Sequence, residues 1–221
     1  MTRPPPPARL PSACVSLWVK ICGITNAADA VAAVEAGADA LGFMFYEPSQ
    51  RHLAPARAAE IVRELPPLVA KVGVFVNPSA DFVRAAIATT GLDTLQFHGE
   101  ETPEFCAQFG RPFLKAFRVK DRSVLAQCAP YRTGTWLFDS FVDGALGGTG
   151  VAFDWEVAIE AVKLHPKVIL AGGLKVETVA DAVRRVRPYG VDVSSGVESA
   201  PGKKDQEKIR RFIVAARGAG G

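Results

Sequence analysis

Eight short apolar runs recur along nearly the whole chain, each followed by a segment of helical rather than strand periodicity. In order they read "LWVKICG", "ALGFMF", "AKVGVFV", "TLQFHG", "FLKAFRV", "TWLFDS", "KVILAGG" and "GVDVSSG". Over residues 17–216 the units average about 25 residues, enough for a strand, a helix and two loops in each. Every connection can therefore be a right-handed crossover between parallel strands. Eight such units favour a closed barrel over an open doubly wound sheet, which usually has fewer strands. The expected fold is α/β, a single-domain (β/α)8 or TIM barrel over residues 17–217.

The intervening segments carry helix signals. "NAADAVAAVEAGA" places Ala27, Val31, Val34 and Ala38 on one face, with Gly37 as the C-cap. "PARAAEIVREL" begins at Pro55, where a missing N–H does no harm. "VETVADAVRRV" and "DQEKIRRFIVAA" turn arginine and lysine outward. "TPEFCAQFG" and "DRSVLAQCA", after the fourth and fifth strands, are short and give the weakest signal.

Residues 1–16 read "MTRPPPPARLPSACVS" and hold four successive prolines, which favour an extended polyproline II arm. With so little apolar surface to offset the entropy of ordering, this is expected to be a disordered extension. It has no apolar signal core, and no run in the chain approaches the ~20 residues of a transmembrane helix, so no membrane partner is expected. A net charge of +3 with scattered lysines and arginines makes no nucleic-acid face, while a small anion remains compatible. Cys14, Cys22, Cys106 and Cys128 lack metal-ligand spacing, so no metal is expected. Four cysteines in 221 residues make no disulfide scaffold either, which points to a reducing cytoplasm. A lone chain of this length points to a monomer.

Barrels of this kind build their active sites at the C-terminal ends of the strands. There the sequence places Cys22, Phe45, Asn77, His98, Arg118, Asp139, Gly172-Gly173 and Ser194-Ser195. Cys22 and Asp139 have obvious proton-transfer chemistry, and they close the first and sixth strands, so a small substrate fits between a base and an acid. Glycine-rich stretches follow the last three strands: "GGTG" at 147–150, "AGG" at 171–173 and "SSGVES" at 194–199. Glycines let backbone N–H groups approach a phosphate closely at these positions. No Walker lysine motif appears and no G-x-G-x-x-G follows the first strand, which disfavours nucleotides.

Plainer roles stand beside these. Cys22 also reads as a small buried hydrophobe, and Cys106 and Cys128 read as fillers on helical faces. Asp139 also reads as a turn cap, Arg51 as a solvated loop charge, and His98 as a structural hydrogen-bonding group. His52 and His165 read as surface or cap residues, and Trp136 and Trp155 as packing. Glu100-Glu101 fits a helix N-terminus, where acid stabilises the dipole.

Taken together the motifs resemble one family, the phosphoribosylanthranilate isomerases of tryptophan biosynthesis. The resemblance rests on "KICGIT" at 20–25, "GADALGFMFYEPSQRHL" at 37–53, "VGVFVN" at 72–77, "LQFHGEE" at 95–101 and "LFDS" at 137–140. It continues through "GGTGVAFDW" at 147–155, "LAGGL" at 170–174 and "VDVSSGVESAPGKKD" at 191–205. It implies a cofactor-free barrel that performs an Amadori rearrangement of N-(5-phosphoribosyl)anthranilate to 1-(2-carboxyphenylamino)-1-deoxyribulose 5-phosphate. It makes Cys22 the general base and Asp139 the general acid. Arg51 contacts the anthranilate carboxylate, with His98 assigned to the same end of the substrate. Gly148, Gly150, Gly173, Ser195 and Gly196 hold the phosphate. Gln50 stands where relatives often carry proline, and Phe97 where leucine is usual.

The implied roles make demands on ionisation. A free aspartic acid, with a reference pKa near ~3.9, is almost wholly ionised at neutral pH. Asp139 therefore needs burial or a neighbouring anion to carry a proton, and Cys22 needs some thiolate near neutrality. Two alternatives remain open: another phosphosugar isomerase or epimerase barrel, and a non-catalytic barrel that keeps only the anion site. The related histidine-pathway isomerase uses an aspartate where Cys22 stands. An epimerase is expected to show several metal-suited histidines and aspartates at strand ends, where only His98 is found. Both proton carriers being present argues against the silent barrel.

Overall fold

A computed structural model of the chain describes residues 17–131, 134–140 and 155–220. Eight parallel strands close in sequence order: β1 Trp18–Cys22, β2 Ala40–Met44, β3 Ala70–Phe75, β4 Thr94–Phe97, β5 Phe113–Val119, β6 Trp136–Ser140, β7 Val168–Ala171 and β8 Gly190–Val193. The last strand pairs with the first, which sets Lys20 beside Asp192. Helices α1 Ala27–Glu35, α2 Pro55–Arg63, α3 Ala80–Thr90, α4 Pro103–Ala107, α5 Val124–Cys128, α6 Trp155–Leu164, α7 Val179–Val186 and α8 Gln206–Ala219 alternate with them. This is the (β/α)8 barrel that the eightfold alternation implies. No helix among the described residues is long and apolar enough to cross a membrane.

Alternation along each strand sorts side chains into two layers. Val19, Ile21, Leu41, Phe43, Leu95 and Phe97 join the main core between strands and helices. Leu114, Ala116, Leu137, Ile169 and Ala171 form a separate cluster inside the barrel. Each large apolar side chain so buried contributes roughly 1.5–3 kcal/mol. Cys106 and Cys128 are fully buried in the outer layer, as fillers of α4 and α5. Those two helices have five residues each, which explains their weak periodic signal. Pro55 occupies the first turn of α2.

The helical face assigned to α1 is corrected by the structure. Its buried residues are Asp29, Ala30, Ala32 and Ala33, while Val31 and Val34 are only partly covered. Asp29 draws that stripe inward: its carboxylate accepts from Lys204 N at 2.8 Å and from Asn26 Nδ2 at 2.8 Å. The C-cap is Ala36, and Gly37 follows it with φ of +96°. Beyond β8 the chain adds a 3-10 turn, Ser195–Val197, and a small hairpin, β9 Glu198–Ala200 with β10 Lys203–Lys204. These strands are too short to leave a periodic trace, and the sequence reading does not separate them from the preceding loop.

Candidate active site

Cys22 is the last residue of β1 and points, like Lys20 two residues earlier, into the barrel mouth. The thiol is only 6% exposed. Gly42 on the neighbouring strand leaves room for both side chains: a Cβ there would lie 2.7 Å from Cys22 Sγ and 3.1 Å from Lys20 Cε. Lys20 is fully buried and pairs with Asp192 at 2.9 Å. Burial pulls the Lys20 ammonium down, but Asp192 and Cys22 outweigh it and the net shift is upward, so Lys20 stays charged. Burial likewise dominates at Cys22 and pushes the thiol up, against the opposing pull of Lys20. The cation that a thiolate needs is present, yet without substrate the thiol form is favoured.

Arg51, on the loop after β2, folds back over Gly23, where a Cβ would lie 2.7 Å from Arg51 Cδ. Its Nε and Nη2 donate to the two oxygens of Glu198 at 2.8 and 2.7 Å. That charge-assisted fork raises the Arg51 pKa. Lys204 Nζ reaches the same carboxylate at 3.0 Å and the Ser194 carbonyl at 3.1 Å. Burial favours neutral Glu198, but Arg51 and Lys204 together hold its pKa low. Burial also lowers the Lys204 pKa, only partly offset by Glu198. The Ser194 hydroxyl is buried here without a hydrogen-bond partner among the described residues.

Across the mouth, β6 delivers Asp139, whose side chain is 20% exposed. His98, just past β4, meets it with Nε2 at 3.0 Å from Oδ2, while Gln96 Nε2 lies 3.3 Å from His98 Nδ1. Arg51 and His98 are both expected at the anthranilate end of the substrate. The structure lays Arg51 over Gly23, the residue after the thiol, and brings His98 to the carboxyl. Arg118 is the register partner of Asp139 and its side chain is exposed.

Glu101, expected as an acid at a helix N-terminus, is instead buried and pairs with Lys115 at 3.2 Å. It also accepts the backbone N–H groups of Asn77 and Gly99 at 2.7 and 3.0 Å. Lys115 donates to the Gly99 carbonyl as well, so this pair fixes the loop that carries His98. Asn77, with φ of 47°, caps the same loop by accepting from Glu100 N at 2.7 Å. Phe45 packs on Phe75, with ring centroids 5.3 Å apart, and contributes shape only.

The loops after β7 and β8 press together. A Cβ on Gly196 would sit 1.9 Å from the Leu174 carbonyl oxygen, so only glycine fits. Gly172 and Gly173 have φ of 75° and 63°, and Ser195 opens the 3-10 turn that Gly196 continues. Gly148 and Gly150 lie outside the described residues. Lys20, Asp192, Glu198 and Lys204 are absent from the sequence reading; their partners lie far off along the chain, and only the "KIC" and "GKKD" strings hint at them.

With this geometry in view, comparisons with known proteins are specific. Residues 19–215 match the family model described as N-(5'phosphoribosyl)anthranilate (PRA) isomerase. A curated N-(5'-phosphoribosyl)anthranilate isomerase of Geotalea uraniireducens is 52% identical over 200 residues, covering 90% of this chain and 98% of that protein. The crystal structure of phosphoribosyl anthranilate isomerase from Thermotoga maritima superposes with a TM-score of 0.87 at 42% identity, covering 91% of this chain and 99% of that one. A further isomerase structure, in complex with reduced 1-(o-carboxyphenylamino)-1-deoxyribulose 5-phosphate, gives 0.83 at 40% identity, with coverage of 91% and 99%. The chain belongs to the phosphoribosylanthranilate isomerase family.

Proposed function

We propose that Cys22 and Asp139 are the general base and general acid of the isomerase reaction that family membership gives this chain. The enzyme is a phosphoribosylanthranilate isomerase of tryptophan biosynthesis. One observation carries the assignment: a buried thiol above a charged lysine and a carboxyl bonded to an imidazole close β1 and β6 of one barrel mouth. Asp139 donates a proton to the ribose ring oxygen as the C1–O bond breaks, leaving an imine. Cys22 then takes the C2 proton, and the enolamine that forms tautomerises to the ketone. Lys20 favours the thiolate side of the balance at Cys22. Arg51 takes the anthranilate carboxylate, and His98 orients Asp139 beside the substrate.

The phosphate belongs at the loops after β7 and β8, with Gly173, Ser195 and Gly196, joined by Gly148 and Gly150. Two tightly apposed glycine-rich loops favour this reading, since they let backbone N–H groups reach an anion. The four scattered cysteines of the composition favour the cytoplasm as its location; residues 1–16, expected as a disordered extension, lie outside the described residues.

The test is the loss of anthranilate-type fluorescence after mixing with freshly made phosphoribosylanthranilate. Cys22→Ala and Asp139→Asn should each lower kcat at least ~10²-fold with modest change in KM. Turnover by Cys22→Ala at the original rate would remove Cys22 as the base.

A further inference from the structure

We propose that Glu198 is the positioning residue that aims Arg51 and thereby sets selectivity for a substrate carboxylate. This rests on the reading of Arg51 as the carboxylate contact. A guanidinium has two faces for bidentate bonding, and Glu198 takes the side formed by Nε and Nη2. The remaining N–H groups on Nη1 and Nη2 form the end-on fork, which matches a second carboxylate. Held this way, over Gly23, Arg51 loses little freedom when substrate arrives.

Charge balance supports the same role. Glu198 alone would neutralise Arg51 and blunt its attraction for an anion. Lys204, whose side chain is fully buried, adds a second cation to the same carboxylate. The three groups together carry one net positive charge, which a substrate carboxylate balances. Lys204 also donates to the Ser194 carbonyl, so the hub ties the aim of Arg51 to the loop that begins the phosphate region. A merely structural ion pair needs neither the side-on geometry nor the second cation.

The experiment compares the natural substrate with its aniline counterpart, identical except for the missing carboxylate, in wild type, Arg51→Ala, Glu198→Gln and the double variant. Glu198→Gln should raise KM for the natural substrate about ten-fold, with kcat changed less than about three-fold and KM for the aniline counterpart hardly moved. The double variant should be no worse than Arg51→Ala alone. Glu198→Asp keeps the charge for Lys204 but withdraws from Arg51. It should show the same loss of selectivity, and it supplies the measurement if Glu198→Gln does not fold. If Arg51→Ala keeps full selectivity, Arg51 is not the carboxylate contact. If Arg51→Ala loses selectivity while both Glu198 variants keep it, or if KM rises equally for both substrates, the positioning role is overturned.

Discussion

The two sides of the barrel mouth each contain a buried lysine, and the lysines face opposite ways. On the thiol side Lys20 points inward, beneath Cys22, with its charge paired to Asp192. On the carboxyl side Lys115 points outward, near the rings of Phe117 and Tyr131, and ties Glu101 and the loop after β4. One strand residue up or down decides which layer a side chain enters. The same residue type therefore lies beneath a thiol on one side and supports a loop on the other. Asp139 and His98 meet solvent, whereas Cys22 is almost sealed. The proposed base sits in the drier half, where a nearby charge acts most strongly.

The largest expected effects separate these lysines. Lys20→Met and Lys115→Met should each cost about 3–5 kcal/mol in urea unfolding, because each strands a buried carboxylate. Only Lys20→Met should also move the thiolate titration of Cys22, read by ultraviolet absorbance against Cys22→Ala, to higher pH; an equal movement in Lys115→Met would erase the contrast. Adding Asp192→Asn to Lys20→Met relieves the stranded charge and keeps the pH measurement accessible.

A smaller effect concerns the wild type. Because burial raises the Cys22 pKa, the thiolate needed as base grows with pH. The ultraviolet thiolate absorbance that wild type shows and Cys22→Ala lacks should accordingly grow only past the ordinary thiol range in a pH titration. A plateau already reached at neutral pH would show that Lys20 outweighs burial. The smallest effect falls outside the mouth. Burial pushes the Cys128 thiol up to about 12, so it is an inert filler. Cys128→Ala should cost roughly 1 kcal/mol in unfolding and leave kcat and its pH profile unchanged.

Much of this was readable from the sequence, and for a physical reason. Strand and helix periods are local, so the eight runs locate their own ends, and the ends expose Cys22, Asp139 and His98. Ion pairing is not local. Lys20 and Asp192 are separated by 172 positions, and Arg51 and Glu198 by 147. In sequence, each looks like any solvated charge, and Glu101 looked like a dipole acid for the same reason. The α1 stripe is a similar case: spacing alone puts Val31 and Val34 inward, whereas Asp29 anchors the alanine side through a partner 175 positions away.

The pairing of β8 with β1 has a consequence in time. A ribosome releases Cys22 early, among the first residues of the barrel, but the carboxylate that partners the lysine beneath it arrives 170 positions after the thiol on the same growing chain. Until β8 docks, the nascent thiol has neither its sealed setting nor its paired lysine. The completed ring thus acts as a proof of full-length synthesis, and fragments cut short before β8 should carry the cysteine as an ordinary exposed thiol, without the paired lysine beneath it.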